Sequence, residues 1–224
     1  MWDSLAAHGC WQGEIFNQRK DGSTYKEWLR ITAVQGTDGI SHYIGQFGYL
    51  GDQKRLIDRI NYLSQFDPLT GLPNRSLFID RLDQALSTSQ RSGLNIGVML
   101  VNLDRLRLIN DSLGQTIGDR VLIDISQRFG QQIRQGDTVA RLSGNEFCFL
   151  LINLVSDEDL INLATRLQAI ISEPLEYGPS SLVITASIGI SVSPRDGTDG
   201  NALLKAADAA LIRTKHEGGS NFGF

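Results

Sequence analysis

Two regimes of hydrophobic periodicity divide the chain. From Trp11 to Leu50 apolar and polar residues alternate, as half-buried strands require, and two polar breaks, Lys20-Asp21-Gly22-Ser23 and Gly36-Thr37-Asp38-Gly39, carry turn chemistry. Three antiparallel strands are predicted. Between Asp52 and Gln65 no helix breaker occurs, and Leu56, Ile60 and Leu63 follow at spacings of four and three, a heptad seam that predicts a helical linker. So short a seam fits a helix packed on its neighbours as well as a parallel dimer stalk. From Phe66 onward helix-period segments alternate with short β-rich runs. Helices are predicted over 76–91, 117–134, 157–172 and 200–217, and strands over 95–102, 138–142, 146–153 and 182–192. This alternation predicts an α/β domain with a central sheet flanked by helices.

Composition narrows the class. A hydrophobic content of 41% over 224 residues supports an ordinary packed core. The longest apolar runs, 96–101 and 147–152, are too short to span a bilayer, and no signal-peptide pattern opens the chain. A cytoplasmic segment is expected. Cys10 and Cys148 lack metal-ligand spacing and are expected to be buried thiols, while His8, His42 and His216 are scattered. The net charge of -4 argues against a nucleic-acid polymer as partner.

Several stretches from Phe66 to the C-terminus carry a resemblance. They are Asp67-Pro68-Leu69-Thr70-Gly71-Leu72-Pro73-Asn74-Arg75; Leu103 to Asp111 with Gly118-Asp119; Ser143-Gly144-Asn145-Glu146-Phe147; Ser187-Ile188-Gly189-Ile190; and Ala207-Asp208-Ala209-Ala210-Leu211 with Lys215. In this order they resemble the GGDEF family of diguanylate cyclases, with SGNEF in place of the signature. The resemblance implies a nucleotidyl-cyclase-like sheet over 66–224 that, in active relatives, condenses two GTP molecules to cyclic di-GMP across a dimer with Mg²⁺. The first residues, including Trp11-Gln12-Gly13-Glu14-Ile15 and Tyr43-Ile44-Gly45, resemble the closing half of a PAS domain. That assigns 1–50 to a partial antiparallel PAS sheet, beginning inside a domain, and 51–65 to the linker. Composite relatives also imply an EAL domain downstream, and PAS-linked ones imply a homodimer through the linker.

The residues depart from the family pattern at its metal ligands. Asn102 and Asn145 stand where the resemblance implies carboxylates, so Mg²⁺ binding is expected to be weak or lost. Ser143 replaces the first signature glycine, Arg107 the usual lysine, and Gly219 a basic residue. Asn110 and Asp119 match guanine-binding positions, and Lys215 and Arg107 match phosphate contacts. Glu146 matches the signature glutamate. If its strand continued, Asp104 would share a face with Asn102, which keeps open a weakly active cyclase working through Asp104 and Glu146. Upstream, Arg134-Gln135-Gly136-Asp137 matches the R-x-x-D inhibitory site for cyclic di-GMP in residue type and in distance from Ser143.

Blander readings stand beside these. R-x-x-D alone also describes a solvated surface pair. Asn110 and Asp119 suit helix caps, and Lys215 suits a helix C-terminus. The reading is a degenerate regulatory module that binds cyclic di-GMP at Arg134 and Asp137, with GTP as second ligand at the remnant active site.

Overall fold

The computed structural model describes residues 1–36, 39–48, 59–60, 62–177 and 180–224. They divide into two units, Met1–Tyr62 and Leu63–Phe224.

In the first unit a short helix α1 (Trp2–His8) precedes strands β1 (Cys10–Gln18), β2 (Thr24–Gly36) and β3 (Gly39–Gly48). These pair in order as an antiparallel sheet, as the alternation predicts. The register Trp11↔Ile31, Gly13↔Leu29 puts Trp11, Ile15, Leu29 and Ile31 on one face. The turn after β1 is held by Asp21, which accepts from the Ser23 amide and hydroxyl. Helix α1 carries no signal strong enough to have been predicted, and it contributes the buried Leu5. Cys148 is buried, but Cys10 is exposed at the start of an edge strand, which corrects the expectation of two buried thiols. Much of the linker seam, Leu56 included, lies outside the described residues. Arg59, Ile60 and residues 62–65 are helical, and Ile60 and Leu63 are exposed.

The second unit is an α/β domain. Its elements are α2 (Arg75–Ser92), β4 (Asn95–Leu103), α3 (Leu106–Leu113), α4 (Gln115–Gly130), β5 (Thr138–Ser143), β6 (Glu146–Leu154), α5 (Glu158–Ile171), β7 (Leu175–Tyr177), β8 (Ser180–Leu182), β9 (Ala186–Ser193), α6 (Gly200–His216) and β10 (Phe222–Gly223). The main sheet has the order β10-β9-β4-β6-β5, with β4 antiparallel to both neighbours. β4 is buried from its second residue to its last, so it reads as a continuous apolar run rather than an alternating one. Its two faces bury different helices. Val98 and Leu100 pack with Phe78 and Leu82 of α2 and Leu203 and Leu211 of α6. Met99 and Val101 face Val121, Ile125 and Phe129 of α4 and Leu160 and Leu167 of α5. Phe129 meets Phe147 and Phe149 edge-on, with ring centroids 5.1 and 5.2 Å apart.

Three boundaries differ from the sequence reading, and each bears on the site. The helix predicted over 117–134 starts at Gln115 and ends at Gly130, which releases Arg134 into a turn. The stretch 106–113 forms a helix of its own. The strand predicted over 182–192 is broken, and residues 183–185 separate β8 from β9.

Candidate functional site

The sheet brings the two substituted metal positions together. Asn102 is the penultimate residue of β4 and is buried, and Asn145 lies in the tight β5–β6 turn that folds over it. Their side chains bond to each other: Asn145 Nδ2 donates to Asn102 Oδ1 at 2.9 Å and to the Leu103 carbonyl at 2.6 Å, and Asn102 Nδ2 reaches Asn145 Oδ1 at 3.5 Å. An amide has both donor and acceptor, so two of them satisfy one another where two carboxylates would repel. The Mg²⁺ that the resemblance implies does not fit this donor set. Both amide oxygens face amide N–H groups, and neither brings negative charge.

Asp104 stands just beyond Asn102's strand, because β4 ends at Leu103. Its carboxylate accepts from Thr185 Oγ1 at 2.7 Å and Ser187 Oγ at 2.9 Å, tying the end of β4 to the start of β9. Among the described residues no cluster of three or more His, Cys, Asp or Glu is arranged to hold a metal ion. Glu146 pairs across the sheet with Asn102 and accepts from Ser143 Oγ at 3.2 Å. It also lines a cavity of about 290 Å³ with Arg75, Lys205 and Asp208. Ser143 is sterically tolerated in the signature turn because Gly144, at φ 44°, takes the left-handed position. Arg141 anchors that turn from outside. Its guanidinium donates to the Gly144 carbonyl and to both oxygens of Asp67, the latter at 2.9 and 3.1 Å.

The base-binding candidates meet at the α3–α4 corner. The Asn110 side chain lies over Gly118, where a Cβ would come within 1.7 Å of its Oδ1, so glycine at 118 makes the room for it. That Oδ1 is buried without a hydrogen-bond partner, the kind of open acceptor a ligand N–H satisfies. Asp119 is the next residue along α4, half-buried, and its carboxylate has no partner among the described residues. Asn102, Asp104 and Lys215 line a cavity of about 660 Å³, together with Arg105 and Gly219. Arg107 is not among its lining residues; it points to solvent, 95% exposed, 3.8 Å from Asp111.

The R-x-x-D residues form a site of their own. The Asp137 amide donates to the Arg134 carbonyl at 3.1 Å, closing a turn whose third residue, Gly136, has φ 99°. A turn of this kind demands glycine there and sets its first and fourth side chains beside each other. Arg134 Nε lies 3.3 Å from Asp137, which is 4% exposed while Arg134 remains 54% exposed. Asp137 accepts the Ile152 amide at 3.1 Å, and burial raises its pKa against the pull of that amide and of Arg134. Both residues line a cavity of about 340 Å³ together with Asp159, Asn162 and Arg166. Arg166, on α5, carries no sequence motif; only the packing of α5 against the sheet brings it near Arg134.

Residues 64–221 match the family model described as "Diguanylate cyclase, GGDEF domain". Two proteins of Pseudomonas aeruginosa are each 38% identical to the chain: the cyclic di-GMP phosphodiesterase NbdA over 74% of it, and the bifunctional diguanylate cyclase/cyclic di-GMP phosphodiesterase MucR over 72%. The matches span only 21% and 24% of those relatives. Among solved structures, the GGDEF domain of TpbB from the same organism is 35% identical with a TM-score of 0.67, covering 69% of this chain and 96% of that one. A microbial GGDEF domain described in an interaction with cyclic di-GMP is 27% identical with a TM-score of 0.63, covering 73% and 98%.

Proposed function

Because the chain belongs to the GGDEF family, whose members work in cyclic di-GMP signalling, we propose that it is a catalytically impaired regulatory module that binds cyclic di-GMP through Arg134, Asp137 and Arg166. The observation that carries this reading is the cavity that the buried Asp137 shares with two arginines, Arg134 and Arg166. Planar guanidinium groups suit the phosphates and guanine faces of a cyclic dinucleotide, and a carboxylate suits guanine N–H groups. At the other site the mutually bonded Asn102 and Asn145 offer no charge for Mg²⁺, and phosphoryl transfer of this class depends on metal. GTP is the second ligand, held at Asn110 and Asp119 without turnover. The rival reading, a weakly active cyclase, needs Asp104 as a metal ligand, and the bonds from Thr185 and Ser187 count against it.

For the whole protein we propose a homodimer through the linker region, where Ile60 and Leu63 are exposed, and an EAL phosphodiesterase partner domain biased by cyclic di-GMP binding. The enzymatic half of the proposal is tested by incubating the chain with GTP and Mg²⁺ and resolving products by chromatography. No cyclic di-GMP is expected under conditions where an intact family member turns over. Product that disappears in Glu146→Ala would overturn the proposal.

A further inference from the structure

Charge in the remnant cavity is distributed in a way the missing metal does not explain. Its charged lining side chains are one anion, Asp104, which accepts from the Thr185 and Ser187 hydroxyls, and two cations, Arg105 and Lys215. Neither of these side chains has a hydrogen bond or ion pair among the described residues. Arg105 also holds a backbone conformation that side chains rarely adopt: it stands at φ 56°, ψ 20° between β4 and α3, and its carbonyl accepts the Leu108 amide at 2.9 Å. At position 219 the chain has glycine at φ 71°, where an added Cβ would lie 3.3 Å from Ser187 Oγ. A basic side chain is therefore absent there, while one is present at 105 on the same cavity.

We propose that Arg105 and Lys215 form a clamp for the polyphosphate of a guanine nucleotide that works without a divalent cation. This rests on the reading of Asn110 and Asp119 as the base site. A nucleoside triphosphate carries several negative charges that Mg²⁺ ordinarily offsets. With neutral Asn102 in place of a carboxylate, Asp104 is the single anion on this cavity's lining against two protein cations, which take over part of the metal's electrostatic role. An arginine serves this better than a lysine, because its fork contacts two phosphate oxygens at once. The cavity thus becomes a binding site for the same substrate class that active relatives consume, with turnover removed.

The test is calorimetric titration of the whole chain with GTP and, separately, guanosine, in EDTA and in Mg²⁺. GTP is expected to bind in EDTA more tightly than guanosine does, with affinity that falls as salt is added. Losing one charge-assisted contact weakens binding about tenfold or more, so Arg105→Ala and Lys215→Ala are each expected to weaken GTP by that factor and leave guanosine unchanged. Arg105→Lys should retain part of the loss. Circular dichroism melting of each variant establishes that it folds. If guanosine binds but GTP binds no tighter, or if GTP affinity is unchanged in both alanine variants, or if GTP requires Mg²⁺, the clamp is overturned and the base site stands. If neither GTP nor guanosine binds, the base-site reading itself fails and the clamp falls with it.

Discussion

At the scale of single residues, an amide and a carboxylate of nearly equal shape decide whether the end of β4 is a metal site. Asn102 and Asn145 hold each other at 2.9 Å. Two unit charges as close as this would repel by about 6 kcal/mol at an effective dielectric near 20 unless a cation lay between them. The double variant Asn102→Asp/Asn145→Asp is therefore expected to melt several degrees lower than the parent in EDTA, to recover in Mg²⁺, and to gain Mg²⁺-dependent GTP binding. Either single variant keeps an N–H donor opposite its new carboxylate, so it should respond much less to Mg²⁺; the two changes act as a unit. Melting curves with and without Mg²⁺ check this, and a double variant indifferent to Mg²⁺ would refute the assignment of these positions as metal ligands. Asp137 makes a second residue-scale case. Burial raises its pKa above the ordinary carboxylate value near 3.9, so the folded chain holds its proton to higher pH than the unfolded chain does. Stability is then expected to fall as pH rises from the ordinary value through the raised one. Cyclic di-GMP affinity should rise over that same interval, because the ionised carboxylate is the acceptor. Asp137→Asn should flatten both dependences, and an affinity that drops as pH rises would contradict the role given to this group.

At the scale of elements, the signature turn is held in place by a residue outside it. Arg141, on β5, grips the Gly144 carbonyl and Asp67, so the segment entering the domain and the β5–β6 turn are fixed to one another. Burial, the largest influence on Asp67, would raise its pKa; the Thr70 hydroxyl and amide and Arg141 together outweigh it and hold the carboxyl below its ordinary value. Its stabilising contribution is thus fully present above the ordinary carboxylate pKa and is lost as pH falls through the depressed one. Asp67→Asn is expected to cost about 1.5–3 kcal/mol at neutral pH, the range for a hydrogen bond to a charged group, and to cost nothing once the parent carboxyl is protonated. Urea midpoints of parent and variant across the acid range measure this, and a difference independent of pH would contradict it. The elements also mark where sequence reasoning reached its limit. Period-two and helical patterns located the long strands and helices, because those segments each bury one face or both. The helix predicted through Arg134 was too long because Gly130, where it ends, is followed by Gln131, Gln132 and Ile133, which continue a helical pattern as far as the Gly136 turn. Whether the strand of Asn102 reaches Asp104 is open in the sequence, because alternation cannot tell where a buried strand ends; it stops at Leu103. Arg166 was invisible, since its place beside Arg134 depends on how α5 docks on the sheet, a relation that no local spacing encodes.

At the scale of the whole molecule, the fold is that of an intact GGDEF domain while its chemistry is divided between two cavities. One is lined by Asn102, Asp104, Arg105 and Lys215; the other by Arg134, Asp137 and Arg166, beside the turn that Gly136 allows. The family and the central sheet were legible in the sequence because the motifs lie at strand ends and turns, where geometry restricts residue type. The pairing of Asn102 with Asn145 was not, because the sequence gives two isolated substitutions and only the β4–β6 register joins them. The proposed role, sensing a nucleotide without making it, requires that Arg134, Asp137 and Arg166 bind cyclic di-GMP. The most direct test is calorimetric titration of the 224-residue chain with cyclic di-GMP, alongside Arg134→Ala and Arg166→Ala. Saturable binding by the parent is expected, weakened about tenfold or more by each substitution as a charge-assisted contact is removed. No binding by the parent, or an affinity in both variants equal to the parent's, would contradict the account.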